Sequence, residues 1–169
     1  MLASRSFIRD GLACNFTVWE LIVMIRQRGY FGIGIYHPKF DVNVGGLWRS
    51  AHAFGASFIF TIGARYKQQP TDTSKAPRHI PLYEYKNLKN FNANKPRDCS
   101  VVGIEIDERS VSLTEFVHPI RAIYLLGAED IGLDVAARYC DSLVEIPSVY
   151  CLNVATAGAI AIYDRVLGR

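Results

Sequence analysis

The chain is poor in the features that mark several common protein classes. Its 169 residues hold four cysteines, Cys14, Cys99, Cys140 and Cys151, and no two of them stand three or four apart as a zinc ribbon requires. Four thiols are too few for a disulfide scaffold, so a reduced, cytoplasmic protein without a metal is expected. Long apolar runs are missing too. The strongest, Val18 to Ile25, spans eight residues and includes Glu20, far short of a membrane span. Arg5 and Arg9 precede it, but no small-residue cleavage pattern follows, and no secretory signal is expected. No phosphate loop of the GxxxxGKS or GxxxxGKT type occurs, and no segment recurs with a solenoid's period.

What is present suits one ordinary folded domain. Half the residues are apolar and 21% are charged, a globular balance on a chain long enough for a proper core. Periodicity gives alternating elements. Phe16 to Gln27 has Val18, Leu21, Ile22 and Ile25 spaced for one helical face, and Gly29 ends it. Phe31–Tyr36 is a short apolar strand. Val44–Phe54 reads as a helix with Asn43 as its N-cap, an inner stripe of Val44, Leu47, Trp48, Ala51 and Phe54, and Arg49 off that stripe. Ser57–Ile62, Ser100–Ile106, Arg121–Leu126 and Ser142–Glu145 read as strands. Short helices are expected near Glu84–Phe91, at Ser112–Phe116 with Ser112 capping, and at Asp134–Tyr139; a long one covers Val154–Leu167. Strands that are apolar throughout and alternate with helices imply an α/β fold, a parallel sheet covered on both faces. The expected division is a helical N-terminal extension over 1–30 and one domain over 31–169.

Charge is unevenly spread. Residues 64 to 98 carry eight Lys or Arg against three acids, a surplus of +5, while the remainder of the chain sums to −2. Four of the seven prolines and Tyr66, Tyr83, Tyr85 and Phe91 lie in the same stretch. Cations among exposed aromatics suit RNA, whose phosphates need charge and whose bases need flat partners; an ordinary solvated loop carries the same composition. Neutralising Lys86, Lys89 and Lys95 tests the RNA reading. His37, His52, His79 and His118 show no catalytic or metal spacing and read as structural or RNA-facing.

Ligands of open α/β sheets bind beyond the carboxyl ends of the strands, and three segments there stand out. Gly32-Ile33-Gly34 fails as a dinucleotide fingerprint, because His37 takes the third glycine position and the glycines lie inside a strand. Leu126-Gly127-Ala128-Glu129-Asp130-Ile131-Gly132 follows an apolar strand, with glycines that allow close backbone approach and a charge at the lip of the sheet. Ile146-Pro147 leads through Cys151-Leu152-Asn153 into a helix whose first turns are small residues, which admit a backbone, a ligand or a second subunit.

Taken in order, Asn43 with Arg49 six residues on, then Leu-Gly-Ala-Glu-Asp-Ile-Gly, then Ile-Pro and Leu-Asn-Val-Ala resemble the three motifs of the SpoU–TrmH family, the SPOUT-class RNA ribose 2′-O-methyltransferases. The resemblance runs from about Phe31 to the C-terminus. Cys151 stands where the family usually has Ser, and Ser148 where Met is common. The resemblance implies a parallel α/β sheet with a C-terminal deep trefoil knot, an exception to ordinary topology rules. It implies an S-adenosylmethionine pocket at Ile104, Gly127, Ile146, Cys151 and Leu152, with S-adenosylhomocysteine as product.

It implies catalytic positions at Arg49, Asn43, Glu129 and Asn153. A guanidinium keeps its proton far above neutral pH, so a grip on phosphate and on developing charge suits Arg49 better than proton abstraction, which stays open. Asn43 is expected to orient Arg49 or the RNA, Glu129 to hold Arg49 or a substrate hydroxyl, and Asn153 to fix the loop or the substrate. The implied partners are RNA, tRNA before rRNA given the compact build, and a second copy through the final helix. The competing readings are a SPOUT-like RNA-binding protein with little transferase activity and a nucleotide-sensing module.

Overall fold

In the computed structural model, which describes residues 5–9, 12–16 and 29–167, seven parallel strands share one sheet. Two strands stand apart from it: β1 (Arg5–Arg9) and β2 (Leu12–Phe16) pair antiparallel with each other. The main sheet is built from β3 (Tyr30–Tyr36), β4 (Phe58–Ile62), β5 (Leu82–Tyr85), β6 (Ser100–Ile104), β7 (Val111–Ser112), β8 (Arg121–Leu126) and β9 (Ser142–Glu145). Their order across the sheet is β5-β4-β3-β8-β6-β9-β7. Among the described residues, three helices, α1 (Asp41–Ala53), α2 (Leu88–Asn94) and α3 (Val154–Leu167), complete the frame, with 3₁₀ turns at Ala76–Arg78 and Asp134–Tyr139.

Side-chain alternation splits the core into two. Phe31, Ile33 and Ile35 of β3 join Tyr124, Leu126 and Val102 beneath α1 and α3. Phe58, Phe60, Ile123, Leu125 and Val101 face the other way, against Leu88 and Phe91 of α2 and the second 3₁₀ turn. Burial on both faces is why these strands read as unbroken apolar runs. The Gly32-Ile33-Gly34 pattern finds its reason here. A Cβ on Gly32 would stand 2.1 Å from the Phe58 ring, and one on Gly34 within 2.5 Å of Phe60. The two glycines are slots for aromatic rings on the neighbouring strand.

Several boundaries differ from the sequence reading. Strands occupy parts of 5–16, where a helical extension was expected; the helix expected over Phe16–Gln27 lies outside the described residues. Helix α1 begins at Asp41, so Asn43 sits in its first turn and Phe40 takes the cap position, with no side-chain cap bond. The Asn43 amide is engaged in tertiary bonds instead. Glu84 belongs to β5, paired beside Thr61, and the helix starts only after Asn87, whose side chain accepts the Asn90 N–H at 2.8 Å. Ser112 lies in the edge strand β7, and the turn after it is closed by Glu115 N–H on the Ser112 carbonyl. Strand β6 stops at Ile104, although the Glu105 N–H still reaches the Val144 carbonyl.

The small residues of α3 serve close packing against α1. Gly158 lies over Leu47, where a Cβ would come within 2.4 Å of Cδ1, and Gly46 faces Ala155. At the far end of α3, Arg165 is buried: Nη1 donates to the Pro119 carbonyl at 2.7 Å and to the Tyr124 hydroxyl at 3.1 Å, and Nη2 donates to the Ile120 carbonyl at 2.9 Å. His118 Nε2 donates to Asp164 at 3.1 Å, which leaves Nδ1 to accept from the Tyr124 hydroxyl. His118 is thus structural. Burial pulls its imidazole below the usual range against the opposing pull of Asp164. At alkaline pH both the folded and unfolded forms are neutral and the group contributes nothing. Below about pH 6.5 the unfolded chain gains the proton first and the fold loses stability.

Two outcomes follow, both read by urea denaturation. Gly158→Val should cost about 1–3 kcal/mol through overpacking against Leu47. Stability should decline between about pH 7 and pH 5, and His118→Gln should flatten that decline.

Candidate cofactor cleft

The cleft lies where a parallel sheet leads one to look, beyond the carboxyl ends of β6, β8 and β9. It encloses about 320 Å³. Ile104, Leu126, Ile146 and Leu152 give it apolar walls, and the loop 127–132 forms its lip. That loop is pinched to an unusual degree. Ala128 and Gly132 exchange both backbone hydrogen bonds, at 3.0 and 2.8 Å, so the chain doubles back on itself. A Cβ on Gly127 would fall 1.9 Å from the Gly132 carbonyl carbon, and one on Gly132 would fall 2.3 Å from Glu105 Oε2. Only glycine fits at either place.

Glu105 locks the pinch. Its Oε2 accepts the Leu133 N–H and its Oε1 accepts the Ile106 N–H, so one carboxylate ties the end of β6 to the far side of the 127–132 loop. The sequence reading missed this residue. The available signal was an acid one position past a strand that ends at the ligand side of the sheet.

A second set of bonds joins the cleft to α1 and α3. Asn43 donates from Nδ2 to Glu129 Oε1 at 2.8 Å and accepts from Asn153 Nδ2 on Oδ1 at 2.9 Å. Asn153 Oδ1 in turn accepts the N–H groups of Ala155 and Thr156, capping α3. The other Glu129 oxygen accepts the Lys39 N–H at 3.0 Å, and the Lys39 ammonium pairs with Asp130 at 2.8 Å. That hydrogen bond raises the Lys39 ammonium above its ordinary range and lowers the Asp130 carboxyl.

All five residues expected to hold a cofactor, Ile104, Gly127, Ile146, Cys151 and Leu152, line this one cleft. Of the four expected catalytic residues, Asn43, Glu129 and Asn153 form the hydrogen-bonded chain. Arg49 stands apart. It is exposed on α1, and among the described residues it has no hydrogen bond or ion pair. Glu129 therefore holds Asn43 and not Arg49, because Asn43 and Arg49 leave α1 on different sides, about 120° apart around the helix. The aromatic residues of 64–98 also differ from expectation. Tyr85 and Phe91 are core residues and Tyr66 packs edge-on against Trp48, which leaves Tyr83 exposed.

A family model described as the SpoU rRNA Methylase family matches residues 31–163. The chain belongs to this family. The SpoU-family chain is 29% identical over 133 residues to mouse tRNA (guanosine(18)-2′-O)-methyltransferase TARBP1. That match takes in 72% of the chain but only 8% of the curated relative's length. Among solved structures, the SpoU methyltransferase AviRb from Streptomyces viridochromogenes in complex with AdoMet superposes with a TM-score of 0.67 at 26% identity, over 82% of the chain and 60% of AviRb. The TrmH/SpoU tRNA modifying enzyme of A. aeolicus shares the fold, with a TM-score of 0.73 at 18% identity over 88% and 80% of the two chains.

Glu105→Ala should leave this SpoU-family fold intact but free the lip of the cleft. Amide hydrogen exchange should then quicken at Leu133 and Ile106 while the β8 amides stay protected.

Proposed function

We propose that this chain methylates a ribose 2′-hydroxyl of RNA with S-adenosylmethionine as methyl donor, and that its substrate is a tRNA. The observation that carries the reading is the convergence on one cleft of the five residues that the family resemblance implies, bridged to α1 through Asn43. The cleft suits the donor. Its volume lies within the usual range for ligand pockets, about 300–1,000 Å³, and its apolar walls match an adenine ring. Backbone groups of the 127–132 loop and of Cys151–Leu152 lie at its edge for the polar rim of that ring. When bound, S-adenosylmethionine supplies an electrophilic methyl group and leaves as S-adenosylhomocysteine; no metal is needed.

The chain's own residues do the positioning. Asn43, Glu129 and Asn153 keep the lip, the start of α1 and the start of α3 in fixed relation, so that a ribose held at α1 faces the cleft. Arg49, a fixed cation open to solvent, grips the phosphate beside that ribose and steadies charge growing on the 2′-oxygen. The methyl group goes to that oxygen and its proton to water.

The tRNA substrate is supported by the activity for which the mouse relative is named; the family's name favours rRNA as the second reading. A homodimer in the cytoplasm completes the proposal. Ile160 and Tyr163 put exposed apolar surface on α3, and the separation of Arg49 from the Asn43 chain around α1 suits a site finished by a second subunit. The deep trefoil knot belongs to the same reading, supported by the likeness to SpoU structures and by β9 lying between β6 and β7.

The test is transfer of labelled methyl groups to unmodified tRNA and, separately, to rRNA, followed by digestion to nucleosides. The expected product is a 2′-O-methyl nucleoside in tRNA, with Arg49→Ala at least about 100-fold slower. Label in rRNA alone supports the second reading. Cofactor binding without label in either RNA supports the non-catalytic one.

A further inference from the structure

We propose that the exposed face of His79 is a stacking platform for an RNA base, held beside Arg49 by its neighbour His52. The inference rests on the RNA-methyltransferase reading above and adds a nucleotide contact to it. Arg49 and His52 are three residues apart on α1, so they leave the helix about 60° apart, on one flank. The His52 ring lies parallel to that of His79, with centroids 4.7 Å apart and planes 5° apart. His52 is half-buried and His79 is exposed. The inner ring is thus fixed to the helix and the outer ring turns to solvent.

The segment that presents His79 is docked firmly along α1. Thr71 donates its hydroxyl to the Val42 carbonyl at 2.9 Å, and it fits only because residue 45 is glycine, where a Cβ would fall 2.4 Å from its oxygen. The buried Asp72 carboxylate accepts the Ala76 N–H at 3.0 Å and the Ser74 hydroxyl at 3.1 Å. Ala76 is fully buried in the core, and its carbonyl accepts the His79 N–H at 2.9 Å. The imidazole is therefore placed before any ligand arrives, so little ordering is left for binding to supply.

A flat ring with one open face accepts any nucleobase, and the cations needed for the flanking phosphates are adjacent. Arg78 and Lys75 are exposed on the same segment. A protein partner would seek an apolar patch, and none of these side chains provides one. The occupant is a base near the methylated ribose, in a single-stranded or looped stretch. The basic segment then acts through a particular ring and not only through its net charge.

The experiment compares wild type, His79→Ala, His79→Phe and His52→Ala by tRNA binding at fixed salt and by methyl-transfer kinetics, with the thermal midpoint of each. His79→Ala should weaken RNA binding and raise KM for RNA about ten-fold, leaving kcat and KM for S-adenosylmethionine unchanged. His79→Phe should restore binding, because the flat face and not the imidazole nitrogen does the work. His52→Ala should give a smaller loss in the same direction. Unchanged RNA affinity in His79→Ala overturns the proposal, as does an equal loss in His79→Ala and His79→Phe. Loss that follows a lowered thermal midpoint in both variants marks the pair as a clasp for the segment and also overturns it. Wild type that binds tRNA through His79 but transfers no methyl group refutes the enzyme reading alone; methyl transfer indifferent to His79 refutes the platform alone.

Discussion

Asn43 spends both ends of its amide on other side chains, and the organisation of the site depends on that. One end donates to Glu129 on the loop after β8, the other accepts from Asn153 at the start of α3. Three segments far apart in sequence are joined by this one side chain. Replacing Asn43 with an apolar residue would cut both links at once. The chain also fixes an orientation: the Asn43 side of α1 faces the cleft and the Arg49 side faces outward.

The cleft follows from a second constraint, the doubled loop at 127–132. Backbone packs on backbone there, and the Glu105 carboxylate closes the gap between β6 and the loop. Such a loop leaves its remaining polar groups along the edge of a pocket with apolar walls, an arrangement suited to a ligand with a flat apolar ring and a polar rim. Opposite it, α3 closes against α1 because residue 158 has no side chain. Cleft and helix packing are consequences of the same economy of volume at the carboxyl end of the sheet.

Much of this was legible in the chain. Strand β8, strand β9 and helix α3 begin and end where the pattern puts them; β8 is a nearly unbroken apolar run and α3 a long apolar stretch between clear stops. The five cleft residues were legible through motif order. Less was legible where long-range contacts decide. Nothing local says that Gly32 and Gly34 are slots for Phe58 and Phe60, or that Tyr85 and Phe91 leave a basic segment to fill the core. Asn43 looked like a helix cap because the local signal for a cap and for a tertiary bond is the same side chain. Glu105 and the His52–His79 stack each need two distant segments to meet, and periodicity carries no such information.

The most direct test of the central claim is a crystal structure with S-adenosylhomocysteine bound. The account predicts density for the adenosyl group in the cleft between Ile104, Gly127, Ile146 and Leu152, with the Glu129–Asn43–Asn153 chain intact beside it. Ligand bound elsewhere on the protein, or bound here only after that chain of hydrogen bonds has come apart, would contradict it.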